Sequence, residues 1–490
     1  CTCMEVALDH PGEDVVYIPS QSIDPEEIAK LYGFVYYEER PLLCSLLRLR
    51  NYPDARCVFV TSITIEPQIL SYYLSLASDE SVSEQSIRDR LLLLAVNDGS
   101  PYPLTQKIID RPELTKQIKG WIRADRAFMR CIISTPLEET LASLLGIPLR
   151  ANPSRLSCWG TKHGSRTVFK EAGIALPDGT DQKFTATEYI ESILELWNRH
   201  PKHTKYVAKL NDGVSGDGNA IFRLLSDHSE LSREEKLKYI EERLSNMEFV
   251  AKAETWDSFL AKLEKRGAIA EIWVDGKHAT SPSSQGFITD EKEILVLSTH
   301  EQILKDGLYL GCHFPSSDAY REALATYCNK IGTVLASHGA RERFAVDYVV
   351  VPPQSDEPND KAKIYAIEIN LRSGGTTHPC ETARLLCKGR YCTKQGLLVA
   401  HDEKVKYYRA SDNVVDEVLT KLSFEHITRI IAESESKWNS ESMSGCVFYF
   451  LGALPTCGKV GMLAVGNSKE ECCRLFEAAE SSLINSASAL

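Results

Sequence analysis

The sequence lacks an excess of basic residues, since 56 lysines and arginines stand against 68 aspartates and glutamates. The net charge of -12 is not that of a chain with a basic nucleic-acid-binding surface, so we expect no nucleic-acid partner. No apolar run approaches the roughly 20 residues of a membrane-spanning helix, so we expect no membrane partner. A secretory signal pattern is also missing, which favours a cytoplasmic location, although the chain begins at Cys1 and leaves open what precedes it.

Paired cysteine motifs are also missing, although the chain has 15 cysteines. An odd number of scattered thiols in a chain without a secretory signal is typical of a reducing compartment, so we expect free thiols. Cys380, Cys387 and Cys392 could form a zinc site, but small buried apolar side chains are the favoured interpretation.

The N-terminal part alternates strand-like and helix-like segments. Residues 56–62 and 127–133 are short apolar runs that predict buried strands. Thr135 and Glu138 form a capping-box pattern with Pro136 between them, which predicts a helix that ends at Gly146. A strand followed by a capped helix that ends at a glycine predicts an α/β unit with an open parallel sheet.

The remaining 340 or so residues are expected to hold further domains, at roughly 100–200 residues each. Apolar runs predict strands at 206–210, 221–225, 268–274, 294–298, 344–351 and 364–371. Helical spacing occupies residues 162–171, 186–199, 232–261 and 317–338, and the tail ends in a helix over 468–483.

Lys209 ends a predicted strand and is followed by a glycine-rich loop over residues 211–219. The glycines at 213, 216 and 218 would let backbone N–H groups approach phosphate oxygens, and the lysine would add a positive charge. A tight hairpin that only needs positive φ angles explains the same pattern equally well. The loop is neither a Walker A motif nor a dinucleotide-binding loop, because a strand follows it.

Glu368, Asn370 and Arg372 alternate at the end of the last predicted core strand, so they share one face. Oxygen ligands from Glu368 and Asn370 suit a hard cation, and Asp347 on the preceding strand could add a third. Arg372 could then face a transferring phosphoryl group or an oxyanion. A solvent-facing polar stripe on an edge strand is the weaker alternative.

The order of these parts resembles the ATP-grasp superfamily. A lysine before a helix, a lysine before a glycine loop, a hinge strand with a glutamate, and acidic metal ligands follow each other over about half the chain. More narrowly, the sequence is similar to peptide ligases of the pheganomycin-synthesis type. The residues that carry these resemblances are 160–163, Lys209 with its loop, 269–276, 281–285, 297–302, Asp347, 368–379 and 452–466.

The resemblance implies an α/β fold with a Rossmann-like N-terminal pre-ATP-grasp domain (1–155), a split ATP-grasp core (156–400) and a C-terminal segment packed on the core (401–490). ATP and Mg²⁺ are the implied cofactors. Arg372 and Lys209 are the implied catalytic residues, and Asp347, Glu368 and Asn370 are the implied metal ligands. The implied nucleotide-binding residues are Lys162, Lys209, Gly213, Ser215, Gly216, Gly218, Asn219 and, at the adenine hinge, Glu271.

Two positions depart from the superfamily pattern. Some of its ligases have an arginine two residues before the metal-binding acid, where this chain has Ala345. Arg372 must then act alone or with another cation. The glutamate that often binds ribose has no clear counterpart, since Lys277 and His278 stand near that place.

The implied reaction joins a carboxylate to an amine, such as an amino acid or peptide, through an acyl-phosphate, with ADP and phosphate as products. An inactive binding or scaffold protein and a small-molecule kinase on the same fold are the alternatives. His300 and His378 are candidates for substrate contact or acid–base chemistry, and a structural role is equally favoured for each. The sequence leaves open whether the protein forms a homodimer.

Overall fold

The N-terminal unit is an α/β layer built on a parallel sheet. A computed structural model describes residues 12–213, 218–252, 254–305, 307–353 and 361–490. The sheet has the strand order β3-β2-β1-β4. Its strands are β1 (Asp14–Ile18), β2 (Cys57–Thr61), β3 (Leu91–Ala95) and β4 (Ala127–Cys131). Its helices are α1 (Pro25–Lys30), α2 (Leu42–Asn51), α3 (Pro67–Ala77), α4 (Glu84–Arg88), α5 (Leu104–Ile109), α6 (Pro112–Trp121) and α7 (Pro136–Leu145).

The predicted open parallel sheet is confirmed in this unit. The strand β1 pairs in parallel with β2 on one side and with β4 on the other. Thr135 and Glu138 form the predicted capping box at the start of α7, and the helix ends at Gly146 with φ of 73°. These local signals decide the helix ends because they satisfy backbone groups that no helical turn can reach.

The second layer is an antiparallel sheet of order β7-β6-β5-β8 with helices packed on it. The predicted hairpin is present, since Lys209 of β5 pairs with Asn219 of β6. The prediction of continuous helix over 232–261 was wrong, because a short strand divides it into two helices. The strands are β5 (Lys205–Leu210), β6 (Asn219–Arg223), β7 (Glu248–Phe249) and β8 (Ala268–Ile272). The helices packed on this sheet are α9 (Ala186–Arg199), α10 (Arg233–Ser245) and α11 (Trp256–Arg266), whereas the preceding helix α8 (Lys162–Glu171) packs on the large sheet.

The largest sheet has the order β13-β12-β9-β10-β11-β16-β15-β14, and β18 pairs with β16 and β17. Strands from the C-terminal segment therefore continue the sheet that carries Asp347 and Glu368. The strands are β9 (Pro282–Ile288), β10 (Ile294–Lys305), β11 (Leu308–Phe314), β12 (Glu342–Val351), β13 (Lys363–Asn370), β14 (Arg390–Cys392), β15 (Leu397–Val399), β16 (Val405–Val415), β17 (Gly445–Tyr449) and β18 (Lys459–Gly466). The helices are α12 (Arg321–Ser337), α13 (Thr377–Leu386), α14 (Phe424–Glu433), α15 (Leu454–Cys457) and α16 (Lys469–Ser488).

One hydrophobic core joins the two ends of the chain. Leu46 of α2 and Phe59 of β2 belong to the same buried cluster as Phe448 of β17 and Leu463 of β18. Burial of so much apolar surface between these segments favours a fixed arrangement of the N-terminal unit against the large sheet. Across the described ranges, no helix is long and apolar enough to span a membrane.

Candidate active site

A pair of carboxylates lies at the edge of the large sheet. Asp347 of β12 stands directly opposite Glu368 of β13, and Asn370 stands opposite Ala345. The side-chain amide of Gln302 donates to Asp347 Oδ1 over 2.7 Å, and that of Asn370 donates to Asp347 Oδ2 over 2.9 Å. The structure thus brings together the three residues that the sequence assigned to a metal, and Gln302 is a neighbour that the sequence did not indicate.

The electrostatics of this pair favour a bound cation. Burial, followed by the charge of Glu368, raises the pKa of Asp347 to about 7, although Gln302, Lys162 and Arg372 act against the rise. Two nearby carboxylates with too little positive charge around them hold a proton or a metal ion. Two carboxylates and the amide oxygen of Asn370 are hard oxygen donors, which fit Mg²⁺. Magnesium binding by these residues stays a prediction.

Lys162 contacts the carboxylate pair from the first turn of α8. Thr161 caps this helix by accepting a hydrogen bond from the backbone of Gly164 over 3.1 Å. The ammonium of Lys162 forms a short ion pair with Glu368 and lies 3.4 Å from the carbonyl oxygen of Gly213. The backbone N–H of Lys162 donates to the carbonyl of Asn211 over 2.8 Å. The lysine therefore lies between the carboxylates and the start of the glycine loop.

A second buried charge cluster surrounds Glu271 on β8. Its carboxylate is 2.5 Å from the ammonium of Lys209 and forms a short ion pair with Arg166. Burial raises the pKa of Glu271, but Lys209 and Arg166 outweigh that effect and lower it. In this structure both carboxylate oxygens are used by cations, and the predicted contacts of Glu271 with adenine and of Lys209 with phosphate stay predictions.

The helix α8 connects these two clusters. Lys162 and Arg166 are four residues apart on α8, so they lie on the same side of the helix and reach Glu368 and Glu271 respectively. Ser165 accepts a hydrogen bond from the backbone of Ile369 over 2.9 Å, which fixes α8 against β13. Sequence reasoning missed Arg166, although its spacing from Lys162 was the signal that could have indicated it.

The glycine loop is described only at its two ends. Ser215 and Gly216 lie outside the described residues, so the predicted closing of this loop over phosphates is not addressed. Gly218 has φ of 74°, which a residue with a side chain adopts only under strain. Asn219 begins β6, and its side-chain oxygen is buried with no partner among the described residues.

Arg372 follows the end of β13 and is buried near charged side chains that affect its pKa. Its guanidinium donates to the carbonyl of Ser373 over 3.2 Å, and no carboxylate in the described part of the chain is within ion-pair distance. Burial lowers the pKa of Arg372, Glu368 and Asp347 raise it, and Arg40 from the N-terminal unit lowers it. Arg40 is a second cation near this site that sequence reasoning missed.

The two candidate histidines differ in their surroundings. His300 is buried in the large sheet, with its Nε2 2.6 Å from the hydroxyl of Tyr408, and burial lowers its pKa to about 3. The hydrogen bond to Tyr408 accounts for one ring nitrogen, whereas the Nδ1 of His300 is buried and has no partner among the described residues. His378 is the second residue of α13 and packs edge-on against Tyr449 at 4.8 Å, with a pKa lowered by burial to about 3. Its Nε2 is buried and has no partner among the described residues.

The zinc alternative gains no structural support. Cys387 and Cys392 are buried, and Cys380 is partly buried. Burial raises the pKa of Cys387 to about 12, which disfavours the thiolate that a metal requires. No group of three or more histidine, cysteine, aspartate or glutamate side chains within the described ranges is arranged to hold a metal ion.

Comparisons with known proteins agree with this architecture. Residues 234–389 match the family described as "IQCH-like, ATP-grasp". L-propargylglycine–L-glutamate ligase of Streptantibioticus cattleyicolor is 26% identical over 468 residues, which cover 94% of this chain and 92% of that protein. IQ motif-containing protein H of Danio rerio is 22% identical over 403 residues, which cover 73% of this chain and 37% of that protein.

A solved structure shows the same fold at low sequence identity. Biotin carboxylase of Campylobacter jejuni, solved as a complex with beta-gamma-ATP, has a TM-score of 0.54 and 10% identity, and the match covers 97% of this chain and 95% of that one. At this identity the likeness concerns the fold alone. The chain therefore has the ATP-grasp fold, and the resemblance to ATP-grasp ligases of the pheganomycin type that its motifs predicted is confirmed.

Proposed function

We propose that this chain is an ATP-dependent ligase that joins a carboxylate to an amine. The observation that carries the proposal is the grouping of Asp347, Glu368 and Lys162 beside Arg372, whose guanidinium has no carboxylate partner among the described residues. The similarity to a ligase over nearly the whole chain supports the same reaction type.

The reaction begins with transfer of the γ-phosphoryl group of ATP to a carboxylate oxygen, so that ADP leaves. An amine nitrogen then attacks the acyl carbon, the C–O bond to phosphate breaks, and phosphate leaves with the bonding electrons while the amine releases a proton to water. Catalysis of phosphoryl transfer rests mainly on positioning and charge stabilisation. The residues of this site supply both.

Each charged side chain has a proposed part in that process. Lys162 and Lys209, with the ends of the glycine loop, would hold the phosphates. Asp347, Glu368 and Asn370 would hold Mg²⁺, which neutralises phosphate charge when bound. Arg372 would orient the carboxylate and stabilise the negative charge that develops on its oxygen.

The substrates are proposed to be small molecules. The name of the Streptantibioticus ligase contains two amino acids, and an amino acid or peptide would fit this site as carboxylate or amine. The cysteines of the described residues are free thiols, which suits the cytoplasmic location that we propose. The oligomeric state stays open.

Identification of the nucleotide product tests the reaction type. We expect one ADP per amide formed, because the charged groups described above would surround the terminal phosphates of ATP. AMP formed in equal amount with the amide would contradict the acyl-phosphate route. A stable phosphorylated product would favour the kinase alternative, and no turnover with any amine would favour an inactive binding or scaffold protein.

A second experiment tests the metal assignment. Glu368→Gln keeps the size of the side chain but removes its charge, so Mg²⁺-dependent turnover should be abolished. Glu171→Gln is the matched control, because Glu171 lies on α8 with a half-exposed side chain paired to His338. Normal activity in Glu368→Gln would contradict the metal assignment, and an equal loss in the control would point to a general effect on folding.

A further inference from the structure

A cavity lies between the N-terminal unit and the C-terminal segment, at the carboxyl end of the parallel sheet. Its volume is about 330 Å³, within the roughly 300–1,000 Å³ of small-molecule pockets. Thr61 ends β2 and lines the cavity, as does the loop over residues 63–66 that leads to α3. Ligands of open α/β sheets bind beyond this end of the strands. No described residue that was assigned above to nucleotide, metal or catalysis lines the cavity.

The cavity combines apolar walls with acidic groups. Its apolar side chains are those of Val35, Ile63, Ile65, Ile69, Phe424 and Pro455. Glu39 and Glu66 are its two carboxylates, and no lysine, arginine or histidine of the described chain lines it. A ligand that matches these walls therefore has an apolar body and a positive charge.

Glu39 is the buried carboxylate of the cavity. It ends a 3₁₀ helix (Phe34–Glu39), and it is 2% exposed. Its Oε1 accepts hydrogen bonds from the hydroxyl of Tyr73 and from the N–H of Leu451, and its Oε2 accepts one from the N–H of Gly452 over 2.8 Å. All three donors are neutral. Burial raises the pKa of Glu39 more than these hydrogen bonds lower it.

Glu271 shows what Glu39 lacks. Both carboxylates are 2% exposed, but Glu271 has ion pairs with Lys209 and Arg166. Glu39 has no ion pair with any cation of the described ranges. A buried carboxylate without a cation is costly, so a cation that enters the cavity would be favoured.

The Oε2 of Glu39 retains room for a further donor. It accepts one hydrogen bond from the described residues, whereas a carboxylate oxygen accepts two. A Cβ at position 452 would lie 2.9 Å from this oxygen and 2.9 Å from the ring of Tyr36, so a side chain there would cover it. Gly452, which also lines the cavity, leaves that side of the carboxylate uncovered.

Glu66 adds a second negative charge at the opening of the cavity. It precedes α3, is exposed and makes no capping hydrogen bond to that helix. Thr64 and Thr456 are the other exposed residues of the lining. The opening and the interior of the cavity therefore each carry one carboxylate.

We propose that this cavity binds a small organic cation, a protonated amine on an apolar group, whose ammonium donates to Glu39. The apolar group would pack against the isoleucines at 63, 65 and 69. An anion is disfavoured because both carboxylates repel it, and a neutral apolar molecule would leave Glu39 without a cation. The proposal concerns a site outside the ligase site and does not depend on the proposed function.

The first experiment compares two probes of the same shape on the wild-type chain. 2-Phenylethylamine carries a positive charge at pH 7, and 2-phenylethanol is its neutral counterpart. Dissociation constants are measured by NMR titration. We expect the amine to bind roughly 10- to 100-fold more tightly than the alcohol, the usual effect of a hydrogen bond to a charged group.

The second experiment changes the cavity. Glu39→Gln should weaken binding of the amine by roughly 10-fold or more and leave binding of the alcohol nearly unchanged. Glu66→Gln should weaken the amine by up to about fivefold, as for an exposed ion pair. Val35→Trp adds a large ring to the wall and should weaken both probes. Glu113→Gln, an exposed carboxylate in the first turn of α6, is the matched control and should change neither dissociation constant.

The outcomes decide both the place of binding and the role of the charge. Equal affinity of the wild type for amine and alcohol would overturn the proposal, as would unchanged amine binding in both glutamine variants of the cavity. Unchanged binding of the amine in Val35→Trp would show that the probe binds elsewhere and would also overturn it. If Glu39→Gln does not fold by circular dichroism, the exposed Glu66→Gln and Val35→Trp decide.

Discussion

Replacement of Glu271 by glutamine should destabilise the protein strongly. The side chains of Glu271, Arg166 and Lys209 are 2%, 4% and 9% exposed, so water cannot solvate the charges that the substitution leaves behind. Glutamine would offer one neutral oxygen to two buried cations. Removal of one partner from a buried ion pair costs about 3–5 kcal/mol, and we expect a loss of this size in the free energy of unfolding.

Glu368→Gln serves as the contrasting variant, because its ion pair with Lys162 lies nearer to solvent. The side chain of Glu368 is 24% exposed, and its charge raises the pKa of Asp347. Loss of that charge relieves repulsion between the carboxylates, which offsets part of the cost of leaving the buried Lys162 without this partner, so we expect a smaller loss of stability than in Glu271→Gln. The same substitution should abolish turnover. Replacement of Glu271 should therefore lower mainly the stability of the protein, and replacement of Glu368 mainly its activity.

Equilibrium unfolding in urea, followed by tryptophan fluorescence, measures both variants against the wild type. The reasoning is refuted if Glu271→Gln unfolds within about 1 kcal/mol of the wild type, the range of exposed ion pairs. An equal loss of stability in Glu368→Gln would also contradict it, because both clusters would then support the fold alike. Glu171→Gln controls for the removal of an exposed carboxylate.

Three further predictions concern other parts of the chain. Burial raises the pKa of Glu38 to about 7, so between about pH 4.5 and pH 7 the folded protein keeps a proton that the unfolded chain releases. The contribution of Glu38 to the free energy of unfolding therefore falls as the pH rises through this range. The free energy of unfolding of Glu38→Gln relative to that of the wild type, measured in urea, should therefore rise by up to about 3 kcal/mol between pH 4.5 and pH 8. A difference that does not change with pH would contradict this. Gly179→Ala should destabilise by roughly 1–3 kcal/mol, because the new Cβ would lie 2.5 Å from the carbonyl oxygen of Ala270, and an unchanged melting temperature would exclude that contact. Arg372→Lys should retain near-normal ATP affinity in a binding assay but turn over far more slowly, since a point charge replaces a planar donor; wild-type turnover would exclude the proposed role of Arg372.

Local patterns in the sequence predicted many of the elements. The capping box at Thr135 and Glu138 and the stop at Gly146 act within one or two turns of helix, so no distant residue is needed to recognise them. Alternation along β13 likewise placed Glu368 and Asn370 on one face, and Asp347 on the preceding strand was expected to add a ligand from across the ladder. The division of residues 232–261 by β7 was missed, because pairing of β7 with β6 overrides a weak helical preference.

The sequence by itself determined which residue types are available at the site: the lysines before a helix and a glycine loop, and the acids and Arg372 at the strand ends. Only the tertiary structure decided their partners. Arg166 was assigned to Glu271 by the packing of α8, and Arg40 was brought to Asp412 across 372 positions by the shared core of the two chain ends. The physical reason is that an ion pair depends on distance in space, whereas periodicity and capping depend on neighbours along the chain.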